Sequence, residues 1–156
     1  MWNFIKQNWG NLASVAGLII SIFTLLFAKR ASEAATEAKE GVLKHNIADD
    51  LQEAVHRSQE LSVFFQVNEW KVLRLKADEL QAQTSWLISR WGDKLGLESM
   101  NRLTRAKEQL RSVVAFVDEV GENNISEKHR KDLLRATDQA RESFVEEHGK
   151  FLAKIE

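Results

Sequence analysis

The sequence predicts an all-α protein, with a single N-terminal transmembrane helix followed by an antiparallel four-helix bundle. Three observations carry this. The 156 residues include no proline and only seven glycines, so the chain lacks the punctuation that a sandwich or barrel of tight hairpins requires. Residues 12–28 carry no charge. Beyond residue 46, apolar side chains recur at alternating three- and four-residue spacing, the pattern of one helix face. Apolar residues make up 44% and charged residues 29%, a globular balance that excludes a disordered chain.

The first element is the membrane segment, residues 1–30. Leu12 to Ala28 is 17 residues long, and as a helix it spans roughly 26 Å, close to the lower limit for a hydrocarbon core. Trp2 and Trp9 lie on one side, where indole rings suit the headgroup level, and Lys29 and Arg30 close the other. Two cations directly after the apolar run act as a stop-transfer signal, so the segment reads as an uncleaved anchor and not as a signal peptide. Lys6 and the amino terminus stand against Lys29, Arg30, Lys39 and Lys44. The positive-inside rule therefore puts the C-terminal part in the cytoplasm, which for a bacterial protein makes the host bilayer the inner membrane.

Small and weakly polar residues form a seam in this segment. Gly10, Ser14, Gly17, Ser21, Thr24 and Ala28 follow spacings of 4, 3, 4, 3 and 4. Small residues let helix backbones approach in lipid, where no hydrophobic force drives association, so the seam predicts a homo-oligomer. It serves equally as a dry contact or as a wetted pore lining.

Residues 31–45 form a helical linker rich in alanine and glutamate, with Gly41 as the first expected break and Asn46 as a capping start. Residues 46–156 form the cytoplasmic helical bundle. Its first segment carries Leu51, Ala54, Ser58, Leu61 and Phe65 on one face, and its second carries Leu73, Ala77, Leu80, Thr84, Leu87 and Trp91. One long helix over 46–91 is the alternative, because the boundary near Gln66–Asn68 is weakly marked. Gly92 and Gly96 end the second segment. The third carries Leu103, Ala106, Leu110, Val113, Val117 and Val120, with Gly121 as its C-cap. Ser126, or Asn124 with Glu127, caps the fourth.

The fourth seam, read as Leu134, Thr137, Arg141, Phe144, His148, Phe151 and Ile155, contains two polar positions seven residues apart. A buried arginine is costly without a partner, so Arg141 needs a carboxylate, another subunit or an anionic ligand.

The run Arg141-Glu-Ser-Phe-Val-Glu-Glu-His148 on the last helix of a small bundle resembles the R-x(4–6)-H motif of the HEPN superfamily. In HEPN ribonucleases two copies of the motif meet at a dimer interface. That resemblance implies an arginine holding phosphate and a histidine assisting attack by the ribose 2′-hydroxyl. Glu142 departs from it, because the nucleases commonly carry a neutral polar residue there and a carboxylate repels phosphate. With its N-terminal membrane helix, the whole chain resembles the HEPN-like membrane accessory proteins of type VI-B CRISPR systems. These are thought to assemble as ring-shaped pores beside an RNA-targeting nuclease. The resemblance implies an oligomeric antiviral-defence effector that forms or gates a pore, with an RNA-guided effector nuclease or its RNA product as partner. Arg141 and His148 then stand as a non-catalytic pair. A membrane-tethered HEPN ribonuclease and a non-enzymatic scaffold are the alternatives.

Composition narrows the chemistry further. The chain has no cysteine, which excludes disulfides, zinc-thiolate sites and cysteine nucleophiles. Residues 46–156 carry 17 Lys/Arg against 20 Asp/Glu, the wrong balance for a general nucleic-acid binder, so no DNA partner is expected. No phosphate loop, metal-spaced set or nucleophile triad is present, and no cofactor or metal is expected. His45, His56 and the Lys128-His129-Arg130-Lys131 cluster read as solvated faces.

Overall fold

A computed structural model of the chain describes the backbone of residues 2–121 and 125–155 and the side chains of residues 14–121 and 125–154. Every regular element is helical: α1 (Trp2–Gln66), α2 (Trp70–Leu95), α3 (Leu97–Val120) and α4 (Glu127–Ile155). Among the described residues there is no strand. The chain divides into two compact units, Met1–Leu43 and Lys44–Glu156.

The apolar segment and the first bundle segment belong to one helix. Gly41 does not interrupt α1, and Asn46 caps nothing. Strong helix formers flank Gly41 on its N-terminal side, and one glycine costs only about 1 kcal/mol against alanine. The alternative single helix over 46–91 is not adopted. α1 ends at Gln66, and the chain turns through Asn68, whose φ of 60° is a left-handed value that asparagine tolerates. The Asn68 and Glu69 amides donate back to the Phe65 and Phe64 carbonyls at 3.2 and 3.0 Å.

In the second unit, side-chain pairs fix the helix order and direction. Phe65 and Trp70 meet edge to face at 5.5 Å beside the first turn, while the Trp91 indole at the other end of α2 donates to Asp50 at 2.7 Å. α1 and α2 are therefore antiparallel. Arg74 reaches Asp118 at 3.0 Å across α2 and α3, and Gly92 lies against Met100 near their turn. Arg102 reaches Glu147 across α3 and α4, and Phe116 meets His129 at their near ends. The Arg130 guanidinium, at the start of α4, closes the circuit over Phe65 and Trp70 at 5.9 and 5.8 Å.

In the first three segments the core follows the rows expected from spacing, except that Val120 is only half-buried. Leu51, Ala54, Leu61, Leu73, Leu80, Leu87, Leu103, Leu110 and Val113 have no exposed surface. Three hydroxyls join them, and each is satisfied within its own helix. Ser58 donates to the Val55 carbonyl, Thr84 to Leu80 and Thr137 to Leu133, at 2.7, 2.7 and 2.8 Å. Gly96 joins α2 to α3 alone, at φ 88° and ψ 168°, a conformation reserved for glycine. Gly121 ends α3 as expected, its amide donating to Val117. Ser126 caps α4 reciprocally with His129: each backbone amide donates to the other's side chain at 3.4 Å.

The seam of α4 differs from the expected one at three of its described positions, where Leu133, Ala140 and Glu147 stand in place of Leu134, Arg141 and His148. Its buried residues are Leu133, Thr137, Ala140, Phe144, Glu147 and Phe151. Leu134 is 40% exposed, and Arg141 and His148 are half-buried on the flank of the seam. The displacement has a local cause. Glu147 can occupy a core position because Arg102 of α3 meets it there, while Thr137, Phe144 and Phe151 keep their expected places on the seam.

Candidate functional site

Two features of the described residues stand apart from ordinary bundle packing. The first is the apolar stretch of α1. Nine large side chains from Val15 to Phe27 are between 47% and 71% exposed. α1 is the one helix among the described residues that is long and apolar enough to cross a membrane. The two hydroxyls after Gly17 are bonded inward: Ser21 Oγ donates to the Gly17 carbonyl and Thr24 Oγ1 to the Ile20 carbonyl, each at 2.8 Å. Bonds of this kind remove the need for water at a polar side chain in an apolar setting. Gly17 has open space around it, with nothing within 4 Å of an added Cβ. Ser14, Gly17, Ser21, Thr24 and Ala28 are all exposed, and Lys29 and Arg30 follow as exposed cations, Lys29 facing Glu33 at 3.8 Å. Trp2, Trp9 and Gly10 belong to α1, but their side chains and exposure lie outside what the structure describes, and Asn124 lies outside the described residues altogether.

The second feature is the charged cluster joining the start of α3 to the end of α4. Glu147 is 1% exposed, and Arg102 Nε donates to its Oε2 at 2.7 Å. Arg102 also pairs with Glu98 on its own helix. Lys150 joins Glu146 at 2.5 Å and Glu98 at 3.4 Å. Burial pulls the Arg102 guanidinium down, but the Glu147 and Glu98 carboxylates more than restore it, leaving it above its ordinary value. Bonds from Arg102 and Lys150 hold Glu98 below the usual carboxylate range, and the bond from Lys150 does the same for Glu146. The Glu146 carboxylate in turn raises Lys150. On the opposite side of α3, Arg74 lowers Asp118 and is itself raised by it.

The arginine that needed a buried partner is thus Arg102 and not Arg141. Arg141 is 39% exposed and pairs with Asp138, one turn back, at 3.3 Å. His148 forms no hydrogen bond or ion pair with any described residue. The two share a flank of α4, separated by two turns, or about 10 Å along the axis. Sequence reasoning passed over Arg102. Its signal was Glu98 four residues before it, an i, i+4 pair placed beside a core row. It also passed over Arg90, whose guanidinium lies 4.7 Å from the Trp86 ring centroid and 4.4 Å from that of Trp91.

The surface grooves are shallow and charged. One of about 230 Å³ between α1 and α2 is lined by Glu53, Arg57, Glu60, Lys76 and Glu79. Another of about 300 Å³ runs between α3 and α4 past Arg105, Gln139, Glu142 and Glu146. Neither is an enclosed apolar cavity of the kind that holds small substrates. No group of three or more acidic or histidine side chains suits a metal among the described residues. His45 and His56 are exposed and face Asp49 and Glu60 at 3.4 and 3.6 Å. Compared as a whole, the chain matches no family model, no curated protein and no solved structure.

Proposed function

We propose that this chain is a membrane-anchored, oligomeric antiviral-defence effector that forms or gates a pore in the bacterial inner membrane, with its bundle in the cytoplasm. One observation carries the membrane part: nine large apolar side chains stand exposed on a single uncharged helical stretch, directly before Lys29 and Arg30. Burying that much apolar surface in lipid is favourable at roughly 25 cal/mol per Å², whereas leaving it in water invites aggregation. The inward-bonded hydroxyls of Ser21 and Thr24 support a dry helix contact over a water-lined wall. The defence role, beside an RNA-targeting CRISPR nuclease, rests on the resemblance of the anchor and the Arg141–His148 spacing to the type VI-B accessory proteins. The tethered-ribonuclease alternative has less support, because Arg141 is engaged by Asp138 and borders Glu142.

The test combines topology with leakage. A reporter fused after Glu156 is expected to behave as cytoplasmic, and purified protein in liposomes is expected to release a trapped dye. A reporter active outside the inner membrane, or a mature protein beginning near Ala31, would overturn the anchor. Intact liposomes at high protein density would overturn the pore.

A further inference from the structure

We propose that the first turn of α4 is a proton-sensitive latch: His129 holds it shut while its imidazole is neutral, and the turn opens when the ring takes up a second proton. The inference concerns the bundle alone and is independent of the membrane and pore reading above.

Helix α4 is entered through Ser126-Glu127-Lys128-His129. Glu127 is the first helical residue, so Ser126 stands at the capping position and His129 at the third position of the helix. The two residues satisfy each other. The His129 amide donates to Ser126 Oγ, and the Ser126 amide donates to His129 Nδ1, each at 3.4 Å. In this reciprocal pattern a glutamate or glutamine ordinarily accepts the returning bond. Histidine in that place changes the chemistry. A glutamine accepts at every pH, and a glutamate stays ionised down to about pH 4. An imidazole nitrogen accepts only while it lacks a proton, and imidazoles gain one at about pH 6.5. Once protonated, Nδ1 is a donor facing another donor, and the Ser126 amide has lost its partner.

The surroundings add to this. The turn is the positive end of the helix dipole, where a new cation is unfavourable. Lys128 and Arg130 flank His129 in the chain, and Lys131 follows. The other charged groups nearby are Glu127 and Asp132 on α4, Asp118 and Glu119 beside Phe116 on α3, and Glu69 and Lys71 at the turn from α1 to α2. Among the described residues none of these carboxylates pairs with His129, and Asp118 is engaged by Arg74 at 3.0 Å. Glu127 and Asp132 temper the repulsion from the lysines and arginine. The direction is set by the acceptor, because only the neutral ring can close the cap.

The place of this turn gives its opening a consequence. The His129 ring meets Phe116 edge to face at 5.1 Å, and the Arg130 guanidinium lies over Phe65 and Trp70 at 5.9 and 5.8 Å. The Arg130 amide donates to the Ser126 carbonyl at 2.9 Å, which ties this second contact to the cap as well. Two adjacent residues thus dock the start of α4 on the end of α3 and on the turn from α1 to α2. The latch is shut above the titration range of histidine and opens as pH falls through it. Beyond the first turn, Leu133 and Thr137 are buried in the core. The opening is therefore local, and it is read at the residues of the turn instead of in the thermal midpoint.

The test is nuclear magnetic resonance of the full chain in detergent micelles, titrated from about pH 7.5 to about pH 5.5. Imidazole nitrogen shifts report the tautomer and protonation of His129, and Cα shifts of residues 127–130 report the helical turn. The neutral ring is expected to carry its proton on Nε2, leaving Nδ1 free to accept. As the ring titrates, the open-to-closed ratio of the turn is expected to rise about fivefold, the worth of a typical cap. His129→Glu is expected to keep the turn shut over this range, and His129→Ala to leave it open throughout. A neutral ring protonated on Nδ1, or helical shifts that stay constant while His129 titrates, would overturn the latch. So would a His129→Glu variant that opens in step with the wild type, or a His129→Ala variant as helical at 127–130 as the wild type is at the upper end of the titration.

Discussion

Arg102 and Glu147 form a nearly buried ion pair between α3 and α4: Nε donates to Oε2 at 2.7 Å, with the carboxylate 1% and the guanidinium side chain 11% exposed. Such a pair is weak evidence for stability but strong evidence for register, because desolvation offsets most of the attraction while misalignment strands a charge.

Removing one partner is therefore expected to cost far more than removing both. Arg102→Met alone should lower stability by about 3 kcal/mol, since Glu147 is left charged without its donor. The double variant Arg102→Met/Glu147→Leu should recover most of that loss. Denaturant unfolding of the four proteins in a double-mutant cycle checks it. Equal losses in the single and double variants would show that packing, and not charge, holds this site.

The neighbouring surface carboxylates give a pH dependence with a definite sign. Glu98, Glu146 and Asp118 are held below the usual carboxylate range. The folded chain then binds fewer protons at these groups than the unfolded chain does, so their contribution is complete above the ordinary carboxylate value near pH 4 and fades as pH falls through the lowered values. Lys150 is raised, so its contribution is present below about pH 10 and is lost above that. Thermal midpoints are expected to be flat between pH 6 and pH 9 and to drop below about pH 4. The acid drop should be smaller in Lys150→Met.

Gly17→Leu is expected to leave each subunit folded and to shrink the assembly. A Cβ added at this position meets nothing within 4 Å, so the substitution is expected to act through a neighbouring copy. Size measurement in detergent, together with dye leakage, reads the result. An unchanged assembly would mean that the seam from Ser14 to Ala28 faces lipid or solvent.

Arg141→Ala and His148→Ala should each change stability by less than about 1 kcal/mol, because both side chains lie on the half-exposed flank of α4. Both are expected to weaken assembly and to leave RNA untouched. Incubation of the purified proteins with single-stranded RNA decides between readings. Metal-independent cleavage by the wild type that is lost in both variants would install the ribonuclease.

The sequence carried most of this fold. The rows Leu51 to Phe65, Leu73 to Trp91 and Leu103 to Val117 were legible because their polar members, Ser58 and Thr84, are small enough to bond within the helix. The fourth row was not, because a rule that keeps charge outside places Arg141 and His148 on the seam when the buried charge is Glu147. Its partner lies 45 residues away on another helix, and no local pattern announces such a pairing. The continuity of α1 through Gly41 was illegible for a related reason, since a glycine signals a possible break without saying whether the flanking residues override it.

The self-bonded hydroxyls of Ser58, Thr84 and Thr137 have an evolutionary consequence. A side chain whose proton is committed to its own backbone offers its neighbours little more than shape. At these depths serine, alanine, threonine and valine become near-synonyms, and mutational drift among them can proceed one helix at a time without a compensating change elsewhere. Position 147 has no such freedom, because any substitute must suit the guanidinium at position 102. Descendants of this chain should therefore vary readily at the three hydroxyl positions and change 102 and 147 only as a couple.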